Sequence, residues 1–97
     1  MNTAAVPQAP SVPRPLTPQE KRQLEATAET FEGLVKQIPN DYQALEILKE
    51  AYERLGRPED VLRVSKQLAA ALEENGMSEA ALAEYRVFRL LQQQARM

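Results

Sequence analysis

The sequence predicts an all-α protein: four antiparallel helices behind a disordered N-terminal leader. Three observations carry that prediction. Apolar residues recur at three- and four-residue spacing in four successive stretches. Helix start and stop residues bracket those stretches, and none shows the alternating, β-branched pattern of a strand. The connections run to roughly two to five residues, so each helix must fold back on its predecessor.

Residues 1–16 read as the leader. Pro7, Pro10, Pro13 and Pro15 sit there among Ala, Val, Ser and Gln, a spacing that stops helix propagation and favours extended conformers. The segments Pro7-Gln8-Ala9-Pro10 and Pro10-Ser11-Val12-Pro13 both fit P-x-x-P, so the leader is either an inert tether or a docking peptide. Residues 17–97 form the helical domain.

The first helix is announced by Thr17-Pro18-Gln19-Glu20, with Thr17 as N-cap, Pro18 at the first helical position and Glu20 completing a capping box. Its apolar stripe is Leu24, Ala28, Phe31, Leu34, Val35 and Ile38, and Pro39 ends it. The second starts at Asn40 or Asp41, carries Ala44, Leu45, Leu48, Ala51, Tyr52 and Leu55, and stops at Gly56. Pro58 opens the third, with Glu59 and Asp60 complementing the helix dipole in its first turn. Val61, Val64, Leu68, Ala71 and Leu72 form its stripe before Asn75-Gly76. Ser78 is the expected N-cap of the fourth, which carries Ala81, Leu82, Tyr85, Phe88 and Leu91 before a frayed tail over 92–97.

Composition narrows the function. The 97 residues suffice for one domain, with about eighty left to fold and little room for both a core and a deep pocket. Cys, His and Trp are all absent, which removes disulfides, thiolate chemistry, imidazole proton transfer and the usual zinc ligands. No carboxylate spacing matches a calcium loop, and no glycine-rich loop precedes a helix to hold phosphate. Ser11, Ser65 and Ser78 have no base arranged around them. The expectation is therefore no enzyme and no cofactor or metal. Twelve basic residues against fourteen acidic ones give a net charge of -2, without the concentrated positive field that nucleic-acid binding needs. No apolar run reaches the ~20 residues of a membrane span, and MNTAAVPQAP lacks the features of a secretory signal. A cytoplasmic protein is the resulting expectation.

The helices also repeat. At an offset of about 34 residues, Thr27, Phe31 and Leu34 fall opposite Val61, Ser65 and Leu68. The second helix reads Leu45-x-x-Leu48-Lys49-x-x-Tyr52 before its glycine turn. The first reads Thr27-x-x-x-Phe31 with Pro39 eight residues on, and the fourth reads Ala81-x-x-x-Tyr85. These residues resemble the tetratricopeptide (TPR) family over about 17–88, with one full helix pair at 41–74 and a half-repeat on each side. The sequence departs from the pattern where Leu45 replaces a tryptophan, Lys49 a small residue and Ser65 an aromatic. The resemblance implies helical hairpins stacked around a protein-binding groove; a plain four-helix bundle would keep the same stripes without the groove.

Two surfaces follow. Gln43, Glu46, Glu50 and Glu53 avoid the core stripe of the second helix, and the three carboxylates form one ridge. In a groove that ridge would attract a basic or amphipathic helix of another protein; on a plain outer face it would serve solubility. Glu50 and Arg54, four apart, could instead pair with each other. On the fourth helix, Leu82, Val87 and Leu90 widen the apolar surface beyond one stripe, and no further helix follows in this sequence to cover it. Its expected cover is a partner protein or a second copy in a helical homodimer. The expected function is thus a non-catalytic adaptor or scaffold, with self-association as the alternative.

Overall fold

The computed structural model describes residues 14–96, which form four helices: α1 (Pro18–Gln37), α2 (Tyr42–Leu55), α3 (Pro58–Glu74) and α4 (Ser78–Ala95), with no strand among the described residues. Residues 1–13, with both P-x-x-P segments, and Met97 lie outside them.

Local chemistry fixes the helix ends. At α1 the Thr17 hydroxyl accepts from the Glu20 N–H (3.1 Å) and the Glu20 carboxylate accepts from the Thr17 N–H (3.0 Å). Arg14 adds two further donors to the same carboxylate, at 3.1 and 2.7 Å. The bonds from Arg14 and from the Thr17 N–H hold the Glu20 carboxyl down at about 2. Arg14 is thereby tied to the first turn of α1, and Leu16 beside it is half-buried. Asp41 caps α2 through a bond from the Ala44 N–H.

Helices α2 and α3 end alike. Gly56 (φ 70°) and Gly76 (φ 74°) take the left-handed conformation that a Cβ disfavours. The Arg57 N–H then reaches the Tyr52 carbonyl, and the Met77 N–H the Leu72 carbonyl, which closes each helix with a Schellman turn.

Two sequence expectations change at α4. Its N-cap is Met77, not Ser78, because the turn after Gly76 is tight enough that the Met77 carbonyl already accepts from Ala81. Nor does the tail fray at Gln92: the glutamines are good helix formers, and α4 runs to Ala95.

Each helix packs against its neighbours in the chain, and α1 and α4 do not meet. A closed bundle would bring those two together, so the arrangement is an open stack. Long side chains bridge every second helix: Arg63 of α3 reaches Glu32 of α1, and Lys49 of α2 reaches Glu84 of α4. The end of α3 meets the start of α2 as a short reversal requires, with the Asn75 amide donating to the Asn40 carbonyl (2.9 Å).

The core lies along the seams. Leu45, Leu48, Ala51 and Tyr52 of α2 meet Val61, Val64, Leu68 and Leu72 of α3, with Ala28 and Val35 on one flank and Ala81 on the other. Leu48 and Val64 are fully enclosed, and truncating such a leucine to alanine costs about 2–5 kcal/mol. Ile38 departs from its expected place: it leaves the helix before Pro39 and is 47% exposed. Leu82, counted both in the stripe of α4 and in its wider apolar surface, is exposed on the face of α4 turned from α3. Tyr85 and Phe88 are only half-buried.

Candidate functional site

The most strongly charged concavity lies between the even helices. Glu46, Glu50 and Glu53 descend one side of α2 at four- and three-residue spacing, and all three are exposed. They line a groove of about 390 Å³ together with Lys49, Leu68 of α3 and Glu84 of α4. Leu68, buried in the core, supplies an apolar floor. Glu50 and Arg54 form no ion pair among the described residues, so the ridge carboxylates are left free. Gln43 is exposed one turn before Glu46 and does not line the groove.

The far wall is built differently. One oxygen of Glu84, Oε2, accepts from Lys49 Nζ and from Ser65 Oγ, both at 2.6 Å. The Lys49 and Glu84 side chains are only 15% and 13% exposed, and Ser65 is fully buried. The knot joins α2, α3 and α4, neutralises the only cation in the groove and adds a polar tie to the apolar packing of α4 on α3. The net field of the groove is therefore that of the three ridge carboxylates. Among the described residues no three carboxylates gather closely enough to hold a metal ion.

Sequence reasoning placed the acidic ridge but missed this knot. A signal was present. Lys49 and Ser65 stand where the helical-repeat pattern wants a small residue and an aromatic, and a polar residue facing a core needs a partner. Glu84 is that partner for both.

A second polar cluster ties α1, α2 and α3. Glu32 Oε2 accepts from the Tyr52 hydroxyl and from Arg63 Nη2, while the Arg63 guanidinium lies 5.9 Å from the Tyr52 ring centre. Burial pushes the Tyr52 hydroxyl up to about 12, assisted by Glu32. Burial would raise Glu32, but the bonds from Arg63 and Tyr52 outweigh it and the carboxyl is lowered. Tyr52 thus stays protonated and Glu32 ionised, an arrangement suited to clamping helices.

On α4 the apolar residues are accessible. Leu82 is 53% and Leu90 60% exposed, whereas Val87 is half-buried at the edge of that face. Arg86 and Arg89 share the face, within about 100° of the two leucines around the helix. No helix among the described residues is long and apolar enough to cross a membrane. No family model matches the chain, and no curated protein or solved structure matches it.

Proposed function

We propose that the chain is a non-catalytic interaction module, an adaptor or scaffold of TPR-like stacked hairpins. Its groove between α2 and α4 takes a basic, amphipathic helical segment of a partner protein. The observation that carries this reading is the convergence of Glu46, Glu50 and Glu53 on one groove whose only cation is already paired. A helix presenting Lys or Arg at matching spacing would meet those carboxylates while laying an apolar residue over Leu68. Charge then sets encounter rate and register, and the apolar contact supplies the remainder of the affinity.

The test is fluorescence anisotropy with a labelled amphipathic peptide carrying Lys at i, i+4 and i+7. Binding should weaken at least about tenfold in Glu46→Gln/Glu50→Gln/Glu53→Gln, a loss of about 1.4 kcal/mol or more. Unchanged affinity in that variant would remove the groove from the proposal. A second reading, self-association through α4, is favoured by the exposure of Leu82 and Leu90 on one face. Light scattering tests it, since self-association requires growth in mass without any added partner.

A further inference from the structure

The open face of α4 is not simply apolar. Beyond Glu79 in its first turn, Leu82, Arg86, Arg89 and Leu90 make it a basic amphipathic surface, and neither arginine forms an ion pair among the described residues. That is the chemistry the groove between α2 and α4 would select, on the same chain. The spacings also match. Leu82, Arg86 and Arg89 stand at i, i+4 and i+7, as do Glu46, Glu50 and Glu53. Arg86 to Arg89 therefore spans the same rise, about 4.5 Å, as Glu50 to Glu53, and both ion pairs form in one docking.

A chain cannot satisfy itself in this way. The groove opens on the side of α4 that carries Glu84, whereas Leu82 and Arg86 lie on the opposite side of the same helix. From this, and resting on the reading of the groove given above, we infer that the occupant of the α4 face is a second copy of the chain, docked head to tail. The ridge of one molecule, Arg86 and Arg89 flanked by Leu82 and Leu90, seats against Glu46, Glu50 and Glu53 of the next. Such an interface uses two different surfaces. It leaves one free groove and one free ridge on every dimer, so association continues beyond two copies unless the ring closes. A symmetric α4-to-α4 dimer would instead set Arg86 and Arg89 of one copy near those of the other, a like-charge contact.

Sedimentation velocity on the 97-residue chain tests this, from about 10 µM to about 1 mM, a range that covers weak association. Two variants neutralise one surface each: Glu46→Gln/Glu50→Gln/Glu53→Gln for the groove and Arg86→Gln/Arg89→Gln for the ridge. All five side chains are exposed, and circular dichroism confirms the fold. The wild type should grow in mass past the dimer, and raising salt to about 1 M, where the Debye length falls to about 3 Å, should reverse this. Each variant alone should remain monomeric. Mixed, they should form a one-to-one heterodimer that stops there, because a single intact ridge meets a single intact groove. A groove variant that still dimerises by itself would replace head-to-tail docking with a symmetric dimer and overturn the inference. So would a wild type that stays monomeric at the highest concentration. If that monomer still binds the cationic peptide, the groove reading survives while the identity of its occupant falls; if it binds neither, both fall.

Discussion

Replacing Glu84 with alanine should unsettle the whole second half of the stack. The substitution removes the acceptor shared by Lys49 Nζ and Ser65 Oγ. It leaves an ammonium that is 15% exposed and a hydroxyl with no solvent access. Breaking a fully buried ion pair costs about 3–5 kcal/mol, and an orphaned buried hydroxyl about 1–3 kcal/mol. The Lys49 stem can swing toward the ridge carboxylates and recover part of the first figure, so the expected loss is about 2–3 kcal/mol. For a domain of this size, whose total stability is about 4–12 kcal/mol, that is a large fraction. Urea unfolding followed by helical circular dichroism should show a lower midpoint with an unchanged slope. The apolar triple variant Lys49→Met/Ser65→Ala/Glu84→Leu should return to within about 1 kcal/mol of wild type, since it removes the desolvated charges together. A loss below about 0.5 kcal/mol in Glu84→Ala would mean the pair is solvated, and the knot would add nothing to the packing of α4.

Three further outcomes follow from local geometry. Gly33 lies inside α1, about one turn from its end, with nothing within 4 Å of an added Cβ, so Gly33→Ala should raise stability by about 0.5–1 kcal/mol in the same assay. Gly56, at φ 70°, has equal space but a conformation alanine resists, and Gly56→Ala should lower stability by about 1–2 kcal/mol. The Glu20 carboxyl, held at about 2, contributes stability that is present above the ordinary carboxylate value of 4.5 and lost as pH falls through 2. An NMR titration should place its midpoint there, and Arg14→Ala should move it upward.

Much of the fold was legible because it is written in local chemistry. The Thr17 box, Asp41, the two glycine turns and Pro58 each act within a few residues of themselves, so their positions in the chain were enough to find the helix ends. The stripes on α2 and α3 could be read for the same reason, since period alone decides which residues share a face. The acidic ridge also belongs to one helix, and its residues could be named without knowing what faced them. That ridge becomes one wall of a groove only because α4 stands across from it. Besides apolar packing on α3, α4 is tied there by Lys49, Ser65 and Glu84, which lie on three helices and meet across separations of 35 and 19 residues. Ile38 belonged to its stripe by spacing but leaves its helix before Pro39, and Leu82, counted both in the α4 stripe and in its wider apolar surface, is exposed on the open side of α4. The rods and their faces follow from local order in the chain, because capping, turn and periodicity energies act between near neighbours. Which faces meet, and what the groove encloses, was decided by tertiary structure, where burial forces a lysine on one helix to find a carboxylate on another.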